Sequence, residues 1–81
     1  LIRLEFDNAQ EVNTIEAYQD FLNKFPVGEL SEKAKFSIAE INFKEAKKTN
    51  SIEEYKKFIQ KYPNSKLSKE ASDLILKVSN W

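Results

Sequence analysis

The chain has 81 residues, of which 41% are hydrophobic and 32% charged, and its 13 basic and 13 acidic residues give a net charge of zero. The lack of histidine and cysteine excludes thiolate or imidazole zinc sites, Ser–His and Cys–His catalysis, and disulfide bonds. No apolar run approaches the ~18 residues of a membrane span. We therefore expect residues 1–81 to form a single small domain with no catalytic residue, no metal, no cofactor and no direct membrane insertion.

The first half of the chain has the hydrophobic spacing of three helices, over 1–10, 14–25 and 29–47. The second of these ends before Pro26, because proline disfavours helical geometry in the residue that precedes it. Gly28 then suits the N-cap of the third. The apolar residues that carry this spacing are Leu1, Leu4, Phe6 and Ala9, then Ile15, Tyr18, Phe21, Leu22 and Phe25, then Leu30, Ala34, Ile38 and Ile41.

The second half predicts two more helices, over 51–62 and 66–79. Ser51 and Glu54 form a capping box, in which the serine oxygen and the glutamate carboxylate satisfy backbone N–H groups at the helix start. Pro63 ends this helix, and Ser65 suits the N-cap of the last one. The apolar residues with helical spacing are Ile52, Tyr55, Phe58, Ile59 and Tyr62, then Leu67, Ala71, Ile75 and Val78.

The two halves are copies of one unit, 37 residues apart. Aligning 1–44 with 38–81 gives thirteen identical pairs, most of them apolar or helix-ending residues rather than reactive ones. A period of this length is typical of helical solenoids, in which each helix pair buries its apolar face by stacking on the next. We therefore predict an all-α, right-handed α-solenoid of antiparallel helix pairs. The identical pairs are Phe6/Phe43, Ala9/Ala46, Asn13/Asn50, Ile15/Ile52, Glu16/Glu53, Tyr18/Tyr55, Phe21/Phe58, Lys24/Lys61, Pro26/Pro63, Leu30/Leu67, Ser31/Ser68, Ala34/Ala71 and Ile38/Ile75.

The repeated motif Y-x-x-F-[LI]-x-x-[FY]-P-x-[GS], followed by Leu and Ala in the next helix, resembles a tetratricopeptide-type repeat. The variant is similar to repeats of bacterial envelope proteins, including the lipoprotein of the outer-membrane β-barrel insertion machinery and the coordinator of the Tol–Pal system. The period is 37 rather than about 34, and the Trp-x-x-Leu-Gly opening of the family is absent. On this interpretation 1–12 is the second helix of a preceding unit, 13–49 is unit one and 50–81 is unit two.

The resemblance implies a scaffold for a protein or peptide partner, in which the first helix of each pair lines the concave face. The polar residues left on those helices then form a groove that is acidic on one side and basic on the other, and that complements a charged partner segment. A solvated face is the simpler interpretation of these residues. Since the charges of the whole chain balance and their gradient along it is mild, we also expect solvated helix faces rather than a nucleic-acid patch. The candidate partner-binding residues are Glu16, Gln19, Asp20, Asn23 and Lys24 in one unit, and Glu54, Lys56, Lys57, Gln60 and Lys61 in the next.

Three functional alternatives remain open. The chain is expected to be part of a longer protein. That protein is a bacterial envelope scaffold, an enzyme whose catalytic domain lies outside these residues, or a cytoplasmic adaptor.

Phe36, whose counterpart is Asp73, either packs inside the solenoid, which we favour, or contributes to a binding surface. Trp81 is expected to pack on the last helix or on a further unit. Apolar residues at both ends, such as Leu4 and Leu76, predict flanking helices or self-association.

Overall fold

A computed structural model describes residues 1–80, and five α-helices lie within them: α1 (Ile2–Val12), α2 (Ile15–Lys24), α3 (Glu29–Thr49), α4 (Ile52–Lys61) and α5 (Lys66–Ser79). The prediction of an all-α chain is confirmed, and every predicted helix boundary lies within two residues of the observed one. The expectation for Trp81 lies outside the described residues. The right-handed solenoid and the division into sequence units stay predictions.

The chain divides into two compact units, one of residues Leu1–Ile41 and one from Asn42 onward. The boundary falls inside α3, so the first half of this long helix belongs with α1 and α2, and the second half belongs with α4 and α5. Each unit therefore contains three packed helical segments rather than one helix pair.

Side-chain caps fix where the helices begin. The hydroxyls of Thr14, Ser51 and Ser65 accept hydrogen bonds from the N–H groups of the first turns of α2, α4 and α5, at 3.1, 3.2 and 3.1 Å. The serine half of the predicted capping box is confirmed, because the Ser51 hydroxyl accepts from the Glu54 N–H. The Glu54 carboxylate lies 3.6 Å from Lys57 Nζ, where it forms an ion pair. Gly28, which precedes α3, has a φ of 132°, a conformation that favours glycine.

Five equivalent positions are part of the buried core in both units. In the first unit Phe6, Ala9, Tyr18, Phe21 and Ala34 are buried in one cluster. Their counterparts 37 residues later are identical and are also buried. The aromatic rings that join the helices meet at similar distances, with ring centroids 5.4 Å apart for Phe6 and Phe21 and 5.2 Å apart for the second pair. Close packing of identical side chains therefore explains these identities. The second set is Phe43, Ala46, Tyr55, Phe58 and Ala71.

A tyrosine and an asparagine connect successive helices in each unit. The Tyr18 hydroxyl donates to Asn13 Oδ1 at 2.9 Å, and the Tyr55 hydroxyl donates to Asn50 Oδ1 at 2.6 Å. Each asparagine follows the end of a helix in the left-handed conformation, with φ of 56° and 51°. The prediction that both tyrosines are core residues is confirmed, because only 2% and 1% of their surface is exposed.

A buried serine makes a second connection in each unit. The Ser31 hydroxyl donates to the carbonyl of Phe25, the C-cap residue of α2, and the Ser68 hydroxyl donates to the carbonyl of Tyr62, the C-cap residue of α4. Both serines are buried, so the hydroxyl and the carbonyl satisfy each other away from water. This bond fixes the turn between α2 and α3, and the equivalent turn between α4 and α5.

Several large apolar side chains remain on the surface. Phe36 is 44% exposed, which does not support the interpretation that we favoured, in which it packs inside the solenoid. Leu1, Leu4 and Leu76 are exposed as well. These side chains leave apolar surface on α1 and on α5.

Candidate protein-binding grooves

Each unit has a surface groove between two of its helices. Groove one lies between α1 and α2 and has a volume of about 190 Å³. Groove two lies between the second half of α3 and α4 and has a volume of about 290 Å³. Groove one is lined by Glu5, Asn8, Ala9, Val12, Ala17, Asp20, Phe21 and Lys24. Groove two is lined by Asn42, Glu45, Ala46, Thr49, Glu54, Lys57, Phe58, Lys61 and Tyr62.

The two grooves are copies of one site. Every residue that lines groove one has its counterpart, 37 positions later, in the lining of groove two. The base is the same in both, an alanine and a buried phenylalanine from facing helices. Both grooves also have a lysine in the last turn of a helix, α2 in groove one and α4 in groove two. The other five pairs differ in chemistry: Glu5/Asn42, Asn8/Glu45, Val12/Thr49, Ala17/Glu54 and Asp20/Lys57.

An ion pair spans groove one. Lys24 Nζ lies 3.1 Å from Glu5 Oε2, so that α2 and α1 are joined across the groove by a charge-assisted hydrogen bond. Both side chains remain largely in contact with water, at 62% and 41% exposure, so the pair contributes little to stability. Its structural consequence is that the lysine of this groove already has a carboxylate partner.

The polar groups of groove two are arranged differently. Asn42, which replaces the glutamate, donates from Nδ2 to the Tyr62 hydroxyl at 2.8 Å. Lys61 Nζ lies 5.7 Å from the centroid of the Tyr62 ring, within the range of a cation–π contact. At the other end of the groove, Lys57 pairs with Glu54. Groove two thus has an ammonium and a phenol together at the end formed by Asn42, and an internal ion pair at the opposite end.

The ten candidate residues divide into two sets. Asp20, Lys24, Glu54, Lys57 and Lys61 line the grooves. The other five are exposed on α2 and α4 and are not among the lining residues; they are Glu16, Gln19, Asn23, Lys56 and Gln60. Partner binding by either set stays a prediction.

Sequence reasoning missed the lining that α1 and α3 contribute, because it assigned the groove to the first helix of each pair alone. The spacing of the missed residues in the repeat alignment does indicate that they line the groove. Positions 5, 8 and 12, with 42, 45 and 49, are spaced three and four apart, and they flank the buried Ala9 and Ala46. Helical neighbours of a core alanine are therefore expected at the edge of the same groove.

Within residues 1–80, no group of three His, Cys, Asp or Glu side chains is placed to hold a metal ion. The same part of the chain has no helix that is both long and apolar enough to cross a membrane.

Residues 33–65 match the family model of the tetratricopeptide repeat. The matched segment begins inside α3, contains α4 and all the residues that line groove two, and ends at the N-cap of α5. Searches of curated proteins and of solved structures gave no match. The match supports a tetratricopeptide-type repeat, and with the five helices it confirms the predicted fold class, an all-α helical repeat. Repeats of this type are typically non-catalytic scaffolds that mediate protein–protein binding.

Proposed function

We propose that this chain is a protein-interaction segment whose grooves hold a partner protein, within a larger scaffold of the bacterial envelope. The observation that carries the proposal is the duplication of the groove. Both copies combine an apolar base with a polar edge, which is the anatomy of a protein interface. Each copy would therefore offer a partner the same apolar base with different polar groups.

The polar edges give each groove its own selectivity. Groove one has two carboxylates and one ammonium, from Glu5, Asp20 and Lys24. Groove two has two of each, from Glu45, Glu54, Lys57 and Lys61. Charges at an interface act mainly on the choice of partner and on the rate of association. The two grooves would therefore select different side chains of a bound segment.

Site-specific photo-crosslinking in the cells that produce the protein tests the use of the grooves. A photoreactive residue at position 20 or 57 lies in a groove, whereas the same residue at 19 or 56 lies one position further back on the same helices, outside the lining. The proposal predicts one protein partner captured from positions 20 and 57, and much less of it from 19 and 56. Capture from 19 and 56 alone would assign binding to the other exposed set and contradict the use of the grooves.

The envelope assignment is supported by the repeated motif Y-x-x-F-[LI]-x-x-[FY]-P-x-[GS], which resembles repeats of bacterial envelope proteins, one of them a lipoprotein. The complete reading frame tests it. A signal peptide with a lipid-attachment cysteine is the expected result. A second domain with a catalytic motif would favour the alternative of an enzyme's accessory domain, and a frame with neither feature would favour a cytoplasmic adaptor. Either of these two outcomes contradicts the envelope proposal.

A further inference from the structure

Lys61 differs from its copy, Lys24, in what it contacts. Lys24 pairs with the carboxylate of Glu5 across groove one at 3.1 Å. Within residues 1–80, no carboxylate oxygen lies within 4 Å of Lys61 Nζ, and position 42, the counterpart of Glu5, is an asparagine. The same lysine, at the same position of the same kind of groove, therefore has a glutamate partner in one unit and none in the other.

A second hydrogen-bond donor lies beside Lys61. The Tyr62 hydroxyl accepts from Asn42 Nδ2, so its own proton is available to an acceptor in the groove. The counterpart of Tyr62 in the first unit is Phe25, which has no hydroxyl and is not among the residues that line groove one. Groove two has thus lost an internal carboxylate and gained a phenol at the same end. Both changes favour an acceptor that comes from outside the unit.

We propose that Lys61 and Tyr62 bind the side-chain carboxylate of a glutamate in the partner segment, at the Asn42 end of groove two. Groove one provides the reason for a glutamate side chain, since Glu5 places such a carboxylate against the equivalent lysine from a facing helix. Groove one is closed to this ligand by its own Glu5. The inference rests on the proposed function, and it adds the chemistry of the partner.

The test uses two short peptides with acetylated and amidated ends, Ala-Glu-Leu-Ala and Ala-Gln-Leu-Ala, titrated into the 15N-labelled chain and followed by NMR. The expected result is that the glutamate peptide shifts the amide signals of residues 42, 58, 61 and 62, and binds about three- to tenfold more tightly than the glutamine peptide. Equal affinity of the two peptides would overturn the proposal. A glutamine peptide with a free carboxyl terminus is the third arm, and binding as tight as that of the glutamate peptide would assign the site to chain ends and overturn it as well.

Two variants test the same groups, one by removing the predicted preference from groove two and one by creating it in groove one. Asn42→Glu gives Lys61 an internal partner, as in groove one, so it should remove the preference for the glutamate peptide while the chain stays folded. Glu5→Asn combined with Phe25→Tyr rebuilds groove one with the chemistry of groove two, and should create a second response at residues 24 and 25. A preference that survives Asn42→Glu, or no new response in the double variant, would overturn the proposal.

Photo-crosslinking and the peptide titrations together distinguish failure of this inference from failure of the proposed function. If photo-crosslinking from position 57 captures a partner but the two peptides bind equally, the groove binds proteins and only the carboxylate assignment fails. If position 57 captures no partner, the proposed function of the groove fails whatever the peptides do.

Discussion

The Tyr55 hydroxyl donates a 2.6 Å hydrogen bond to Asn50 Oδ1, and Asn50 follows the end of α3 in the left-handed conformation. One residue thus reverses the chain with its backbone and holds the next helix with its side chain. Tyr18 and Asn13 repeat the arrangement in the first unit, with the hydroxyl and Oδ1 2.9 Å apart. Both the asparagine and the tyrosine of each copy are therefore explained by the helix connection, without a ligand.

The first prediction separates the two contributions of Asn50. Asn50→Gly keeps the backbone conformation and loses the hydrogen bond, so it should lower the free energy of unfolding by about 1–2 kcal/mol. Asn50→Ala loses the same bond and, unlike glycine or asparagine, alanine is strained in the left-handed region, so it should cost about 1–2 kcal/mol more than the glycine variant. Urea unfolding measures both, with the exposed Asn23→Ala as the control, expected within about 0.5 kcal/mol of the parent. Equal losses for the glycine and alanine variants would contradict this account of the backbone.

The second prediction concerns the buried serine. Ser68→Ala leaves the Tyr62 carbonyl with only the longer hydrogen bond from the Ser65 N–H, at 3.3 Å, and should lower the free energy of unfolding by about 1–2 kcal/mol. Ser72→Ala, on the exposed side of the same helix, is the matched control and should change it by less than about 0.5 kcal/mol. Thermal unfolding followed by circular dichroism checks both. Similar melting temperatures for the two variants would show that the serine bond is not needed.

The ion pair across groove one should matter little for stability. Glu5→Gln is expected to change the free energy of unfolding by less than about 1 kcal/mol, because the pair is exposed to water. The small loss should vanish near 1 M salt, where the Debye length is about 3 Å. A loss above about 2 kcal/mol, or one that persists at high salt, would mean that the pair stabilises the fold, and the view that it mainly occupies Lys24 would be wrong.

Self-association is the fourth prediction. Leu4 is 59% exposed and Leu76 is 62% exposed, so apolar surface is available on α1 and α5 for a second copy of the chain. Sedimentation equilibrium should show a weight-average mass that rises with concentration. The double variant Leu4→Lys/Leu76→Lys should reduce this rise, whereas Ser72→Lys should not. A parent chain that stays strictly monomeric at high concentration would contradict the prediction.

The helices were predictable because their signals are local. Apolar spacing gave each buried stripe, Pro26 and Pro63 limited the ends of α2 and α4, and Ser51 and Ser65 predicted two caps. The repeat also identified most of the core, since five apolar side chains buried in the first copy are identical and buried in the second, whereas the buried Ala39 has the exposed Leu76 as its counterpart. Tyr18 and Tyr55 could be assigned to packing on this basis alone.

The groove contacts were not predictable, since they depend on the distance between residues far apart in the chain. Glu5 and Lys24 are separated by 19 positions, and Asn42 and Tyr62 by 20, so no helical spacing indicates that they meet. The role of Ser31 was hidden for another reason. Its partner is the backbone carbonyl of Phe25, and the identity of a residue says nothing about where its carbonyl points.

The central claim is that the buried residues shared by the two copies form the scaffold, whereas the exposed polar residues of the grooves, Lys61 among them, are free to bind. A proteolysis-based stability scan of every single substitution in the chain tests this claim most directly. The account predicts sensitive positions in pairs 37 residues apart, at Asn13/Asn50, Tyr18/Tyr55, Ser31/Ser68 and Ala34/Ala71, with tolerance at Asp20, Lys57 and Lys61. It would be contradicted by groove lysines as sensitive as Tyr55, or by free substitution of Ser31 and Ser68.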